Sequence, residues 1–366
     1  MESARWLCFR LHYHDDRDRA LLNCVRPVVA ELLASAEIDR FFFSRYDLAG
    51  PHIRLRLRLS PGERGEVVTD RLTDAATDFL ERHPSTESAP AEWIRHHNRI
   101  LLSGDPDESE QDDVDAVVPD NTLRRCATRF EVDRYGGEEL LEHSLDFFVL
   151  SSVHALHFLA AHRETPPARR LVQALRLLLH QAWGFSRNDH ELGTIIEYPS
   201  AYWGEALASF AAEGERAYEQ VREDLLAGLR QEFALLSRAA GWAPTRPGAP
   251  PSIAEGARRL ADALRWTDPD RWWRIGTSQL HMTANRLGLT NPEEVYLGRI
   301  LWRAVRDLRV GDAVFWTSMW ASRAEHGQAT GAPALRALMP STLAWVTEHD
   351  PLAHVDPKAA HGPHAR

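Results

Sequence analysis

The sequence predicts an α+β fold, in which an N-terminal, mostly antiparallel sheet with helices on one face is followed by a mainly helical C-terminal half. Three observations predict it. His52 to Leu59 alternates strictly, with Ile53, Leu55, Leu57 and Leu59 on one side and His52, Arg54, Arg56 and Arg58 on the other, the period of a strand with two unlike faces. The segments around it read in the order β-α-β-β-α. From Gly137 onward the long segments carry helical periodicity instead.

In chain order, Trp6 to Tyr13 reads as a strand. Arg19 to Ser35 places Leu21, Leu22, Val25, Val28, Val29, Leu32 and Leu33 on a helical stripe. Phe41 to Tyr46 and His52 to Leu59 form a strand pair about the turn Asp47 to Pro51. Val67 to Arg82 is a second helix, and a further strand is expected at Thr128 to Asp133. Residues 84–121, rich in Pro, Ser, Asp and Glu, read as an exposed insertion that is partly disordered around its acidic run. Helices are expected at Glu138 to His162, Ala168 to Trp183, Tyr202 to Arg238, Ser252 to Leu264 and Pro269 to Leu287, with a linker at Trp242 to Pro251. Glu293 to Asp307 is a helix with Asn291 as its N-cap and Pro292 at its first position. Another helix or two and a His/Pro/Lys tail complete the chain. This divides it into 1–137, which holds the arginine strand, 138–310, and an extension at 311–366, all expected to act as one integrated catalytic unit.

Composition narrows the function. A chain of 366 residues with 44% hydrophobic and 26% charged residues is ordinary for a globular protein. No uninterrupted apolar run approaches the roughly 20 residues that span a bilayer, and the N-terminus lacks a signal core. Cys8, Cys24 and Cys126 have no metal-like spacing and read as reduced, packed thiols of a cytoplasmic protein. The net charge of −10 is concentrated in Asp105 to Asp115, and an acidic chain gives no case for direct nucleic-acid binding. The histidines His96, His97, His154, His157, His180 and His190 lack an HExxH arrangement, and no phosphate-loop, dinucleotide or nucleophile-elbow motif is present. No metal, cofactor or membrane is therefore assigned.

The residues that carry chemistry lie in three motifs. The first is RY-x₃-GPHIRLRLR at 45–58. A row of guanidiniums without an acid among them suits carboxylates, because each presents a rigid fork of donors; the same pattern also fits a solvated outer face. The second is FEVDRYGG at 130–137 and the third is QLHMTANRLGL at 279–289. In this order, over roughly residues 4–310, the three motifs resemble the C-terminal, elimination domain of class I lantibiotic dehydratases. They are closest in character to the stand-alone thiopeptide-type bacteriocin biosynthesis proteins built from that domain.

The resemblance implies a peptide-modifying enzyme without a cofactor, acting on a ribosomal precursor peptide with its leader. A partner enzyme first glutamylates Ser or Thr using glutamyl-tRNA. The elimination domain then expels glutamate to leave dehydroalanine or dehydrobutyrine. A subgroup instead closes a pyridine by a formal aza-[4+2] cycloaddition of two dehydroalanines, with release of the leader. A non-catalytic leader-binding subunit, pairing with an extended leader at a sheet edge, is the third reading. Monomer and homodimer both stay open.

By position in the motifs, Arg54, Arg56 and Arg134 match the family's carboxylate-binding arginines, and His281 its catalytic histidine, the side chain suited to moving a proton near neutral pH. Glu131 matches the acidic position before RYGG. Tyr46, Tyr135 and Ser278 are hydroxyl candidates for peptide contacts. Asn285, four residues after His281, shares its helical face, and Arg286 follows it. His52 fits strand-end packing or support of the site arginines. Two departures stand out. Leu150-Ser151-Ser152 replaces an Asp-Ser pair found in many members, and the insertion widens the gap between the first two motifs. With no room for a glutamylation domain, the chain is expected to act after its partner.

Overall fold

A computed structural model describes residues 5–104, 115–238, 251–267, 272–327 and 335–348. Its sheet has four antiparallel strands, β1 (Trp6–His12), β2 (Ile38–Tyr46), β3 (His52–Leu59) and β4 (Thr122–Cys126), in the order β2-β3-β1-β4. The alternation seen in the sequence is realised in register. Leu57 faces Phe41 and Leu7, and Leu55 faces Phe43 and Phe9. This aliphatic face is covered by α1 (Arg17–Ala20), which runs through a π-helical turn at Leu21–Val25 into α2 (Arg26–Ala34), and by α3 (Gly65–Arg82). The expected stripe Leu21, Leu22, Val25, Val28, Val29 and Leu32 is buried there.

One N-terminal expectation is corrected. The fourth strand lies at Thr122–Cys126 rather than at Thr128 to Asp133. The Thr128 hydroxyl donates to the Trp6 carbonyl at 2.8 Å and the chain then turns, so that Phe130 stacks edge-on against Trp6 at 5.7 Å. Residues 84–121 contain a helix that the sequence reading did not give, α4 (Ala91–Gly104), anchored through buried Ile94 and Asn98. Asn98 accepts from the Ala49 N–H at 2.8 Å and donates to the Ala116 carbonyl at 2.9 Å, pinning the β2–β3 turn. The acidic run, apart from Asp115, lies outside the described residues.

The C-terminal half comprises α5 (Glu138–Ala161), α6 (Pro167–Phe185), α7 (Asp189–Trp203), α8 (Ala208–Leu236), α9 (Ile253–Thr267), α10 (Trp272–Leu287), α11 (Asn291–Gly311), α12 (Ala313–Gly327) and α13 (Met339–Glu348). The separate α7 was not legible in the sequence. The cap of α11 is Thr290, not Asn291. Its hydroxyl accepts from the Glu293 N–H while the Glu293 carboxylate accepts from the Thr290 N–H at 2.8 Å, a reciprocal box that satisfies two otherwise orphaned donors. The expected linker at 242–251 and the tail lie almost wholly outside the described residues. By length and mean composition alone, α5 would pass as a helix able to cross a membrane. However, 78% of that window is buried inside the protein, and α5 serves as a core helix.

α6 and α9 cross at Gly184, where an added Cβ would fall 2.2 Å from the Ala254 carbonyl oxygen and 2.7 Å from the Ala257 Cβ. Neither atom can swing away, so Gly184→Ala is expected to lower stability by about 1–3 kcal/mol, read as a reduced urea midpoint with an unchanged m-value. An unchanged midpoint would mean that the two helices separate at little cost.

Among the described residues the outer edge of β2 has no neighbouring strand, and side chains from α5 and α10 substitute for one. Ser152 accepts from the Phe43 N–H at 3.2 Å and Arg286 donates to the Phe43 carbonyl at 2.7 Å. Asn285 both accepts from and donates to the Arg45 backbone, each at 2.8 Å. An exposed edge is thereby paired, and α10 is fixed against the sheet.

Candidate active site

The second face of the sheet carries Trp6, Cys8, Arg10 and His12 from β1, Arg40, Phe42, Ser44 and Tyr46 from β2, His52, Arg54, Arg56 and Arg58 from β3, and Arg124 and Cys126 from β4. At one end its charge is matched. Arg40 meets Asp146 of α5 at 2.8 Å, and Arg58 meets Asp39 at 2.6 Å and Glu142 at 3.5 Å. Further along, Arg56 donates to the Arg129 carbonyl at 3.2 Å and lies over the rings of Phe42 and Phe130. Arg54 lies 4.3 Å from the centre of the Tyr46 ring. The predicted arginine row therefore does not form a solvated outer face: Arg54 and Arg58 are buried and Arg56 is half-buried. Burial, followed by the neighbouring Arg54, pushes the Arg56 pKa down.

Opposite Arg56 stands Cys8, whose sulfur accepts from the Cys126 thiol at 3.0 Å. That bond, reinforced by Arg56, Arg54 and Arg10 and opposed by burial, brings Cys8 down to about 6, while Cys126 is pushed up. Two of the three cysteines thus form a hydrogen-bonded pair beside the arginine row rather than acting as simple packing residues. Only Cys24, raised by burial to about 12, behaves as a packed hydrophobe.

The FEVDRYGG motif forms a turn leading into α5. Gly136 and Gly137 both have positive φ, at 89° and 85°, and a Cβ on Gly136 would strike Leu140 at 2.6 Å. The turn presents Arg134 to α10. Its Nε donates to the Ser278 Oγ at 3.0 Å and its Nη1 to Glu131 at 2.8 Å. The Tyr135 hydroxyl lies 3.3 Å from the same Ser278 oxygen, and burial raises its pKa. One turn after Ser278 on the same helical face, His281 Nδ1 lies 2.7 Å from the Glu294 carboxylate of α11. A cavity of about 470 Å³ opens beside this cluster, lined by Asp133, Arg134, Gly136, Trp273, Arg274, Ile275 and Ser278. Glu131 is ion-paired with Arg134 and is also within electrostatic reach of Arg56, which joins the two halves of the site.

The structure thus gathers Arg134, Glu131, Tyr135, Ser278 and His281 around one face of α10, and places Arg54, Arg56, Tyr46 and His52 on the sheet. His52 is fully buried, its Nδ1 2.9 Å from the Gly50 carbonyl. Asn285 and Arg286 are committed to the β2 edge, and Arg286 is fully buried. Glu294 was missed by sequence reasoning. Its only signal was an acid in the first turn of a capped helix, a common place for one, and the fold alone brings it to His281. An imidazole whose Nδ1 is held by a carboxylate has a fixed orientation and directs Nε2 toward a substrate. Arg134, Tyr135 and Ser278 supply donors for oxygen atoms.

The sequence profile of the family described as lantibiotic biosynthesis dehydratase C-term matches residues 6–305. Among solved structures, the chain is similar to the pyridine synthase TbtD from thiomuracin biosynthesis, with 21% identity and a TM-score of 0.66 over 83% of this chain and 98% of that one. It is also similar to the tRNA-dependent lantibiotic dehydratase MibB from Microbispora sp. 107891, with 20% identity and a TM-score of 0.52 over 85% of this chain and 28% of that one. A third likeness is to TsrL, with 16% identity and a TM-score of 0.55 over 87% and 98%. At these identities the likeness is one of fold. None of the curated proteins matches.

Proposed function

The chain belongs to the lantibiotic biosynthesis dehydratase C-terminal family, and we propose that it matures a ribosomal precursor peptide by eliminating glutamate from glutamylated Ser or Thr. The observation that carries this reading is the His281–Glu294 pair on the same helical face as the Arg134–Ser278 contact. His281 Nε2 takes the α-proton of the glutamylated residue. The Cα–H electrons form the new double bond and the Cβ–O bond breaks. Glutamate leaves with its charge, which Arg134 and the sheet arginines Arg54 and Arg56 stabilise. Glu294 stabilises the imidazolium formed in that step. Atoms and electrons balance without a redox partner. Glutamylation is the task of a separate, glutamyl-tRNA-dependent enzyme.

A second reading, pyridine formation from two dehydroalanines, is supported by two features. Arg134 already has a carboxylate partner in Glu131, and Arg56 is packed between aromatic rings, so neither stands ready for a leaving glutamate without rearrangement. One experiment separates the two readings. The purified protein is offered a precursor peptide in glutamylated form and in fully dehydrated form, and both reactions are followed by mass spectrometry. The expected result is loss of glutamic acid from the first and no change in the second. Release of leader and a pyridine-bearing macrocycle from the second would replace elimination with cyclisation.

A further inference from the structure

Strand register places two of the three cysteines as a pair. Cys8 of β1 stands directly opposite Cys126 of β4, and directly paired Cα atoms on antiparallel strands lie about 4.5–5.5 Å apart. A disulfide spans about 4.4–6.8 Å between Cα atoms, so the backbone can be bridged where it stands. The sulfurs already lie 3.0 Å apart, with the Cys126 thiol donating to Cys8. Closing them to a bond of about 2.05 Å takes a movement of about 1 Å, within reach of side-chain torsions.

The surroundings favour reaction at this pair. β4 is the outermost strand in the order β2-β3-β1-β4. Its Cys126 is half-buried, whereas Cys8 behind it is buried, so a small oxidant meets the pair from the β4 side. On its other flank Cys8 faces Arg56 of β3. The bond from Cys126 lowers the Cys8 pKa, burial opposes it, and Arg56, Arg54 and Arg10 assist. At neutral pH the two sulfurs therefore hold one proton between them, and the thiolate is the reactive form of cysteine. Cys24 is the internal contrast. Its thiol donates to the Ala75 carbonyl at 3.8 Å, and burial raises it to about 12.

We propose that Cys8 and Cys126 form a reversible thiol-oxidation site, closed to a disulfide by a peroxide and reopened by a dithiol. The thiolate of the pair attacks one oxygen of hydrogen peroxide, the O–O bond breaks and hydroxide leaves, giving a sulfenic acid. The second thiol gives its proton to that hydroxide, forming water. Its sulfur attacks the sulfenic sulfur, the S–O bond breaks, and the departing hydroxide takes a proton from solvent. Two electrons thus pass from the sulfurs to one peroxide, which ends as two waters. A dithiol reverses the change by two thiol–disulfide exchanges and is itself left as a disulfide. Oxidation removes the negative charge opposite Arg56, which links the state of the sulfurs to the charge of the arginine row. The site stands on the pairing of β1 and β4, independently of the function proposed above, and its test reads sulfur rather than turnover.

The full chain, reduced and freed of reductant, is treated with equimolar hydrogen peroxide, then catalase, and denatured in iodoacetamide. Mass spectrometry is expected to show alkylation at Cys24 alone and a proteolytic fragment joining Cys8 to Cys126, lighter by two hydrogens than its separate parts. Dithiothreitol before alkylation is expected to return all three cysteines to the alkylated form. Cys126→Ala removes the second sulfur at a half-buried position. Loss of the Cys8 thiol to peroxide is then expected to slow on the order of tenfold, and the product to be a sulfenic acid trapped by dimedone. Alkylation of all three cysteines after peroxide, disulfides between chains instead of within one, or undiminished loss of the Cys8 thiol in Cys126→Ala overturns the site. Cys126 carried to the sulfinic acid while Cys8 stays reduced overturns it as well.

Discussion

His281→Ala is expected to reduce turnover of a glutamylated precursor by on the order of a thousandfold, the middle of the range for loss of a general base, with little change in thermal midpoint. The argument rests on placement. His281 is half-buried on the face of α10 that also carries Ser278, and its Nδ1 is held at 2.7 Å by Glu294. Glu294 tests the same idea independently. Glu294→Gln keeps an acceptor for the Nδ1 proton but removes the charge that stabilises the imidazolium, so kcat is expected to fall on the order of a hundredfold with KM held. Glu294→Asp is expected to recover part of that loss. A packing role for the pair would show the opposite signature, a lower thermal midpoint with kcat retained. Wild-type turnover by His281→Ala would remove the histidine from the chemistry altogether.

The parts of this molecule legible in its sequence are those fixed by short-range pattern. The alternation of β3, the β2–β3 turn and the stripe of α1–α2 each depend on neighbours a few residues apart, and each is realised as read. What escaped the sequence depends on partners far along the chain. Arg58 looked equivalent to Arg54 and Arg56, but Asp39 and Glu142 engage it, and only the bulge in β2 and the approach of α5 reveal that. A strand was expected at Thr128 to Asp133, yet a strand needs a partner in register, and β1 was already paired by Thr122–Cys126. Asn291 and Thr290 are both good caps. The choice fell to Thr290 because Glu293 stands three residues beyond it and completes the box. Glu294 reaches His281 across the α10–α11 connection, a geometry no spacing rule encodes.

Arg286→Ala is expected to lower unfolding free energy by about 3 kcal/mol, with substrate affinity falling only in proportion to the folded fraction. Sequence position alone placed Arg286 among peptide-binding candidates, beside His281. Its environment argues for a brace instead. The side chain is fully buried, donates from Nε to the Phe43 carbonyl at 2.7 Å and to the Ser152 hydroxyl at 3.1 Å, and from Nη1 to the Met282 carbonyl at 3.0 Å. Its guanidinium lies 4.7 Å from the centre of the Phe148 ring. Burial brings its pKa down to about 9, so it is a cation at neutral pH, held by carbonyl dipoles and a ring face rather than by a carboxylate. Truncation leaves a cavity, an edge carbonyl of β2 without its donor, and a hydroxyl of α5 with one partner fewer, each of which carries a cost. Arg286→Lys keeps the charge but not the planar fork that reaches two acceptors at once, so it is expected to recover only a minor share of the loss. Chemical denaturation of the three proteins, run beside peptide binding, decides the matter. Wild-type stability with abolished binding in Arg286→Ala would move Arg286 from the brace into the site, and would leave α10 held against β2 by the bonds of Asn285 to the Arg45 backbone and of the Arg45 guanidinium to the backbone carbonyl of residue 286.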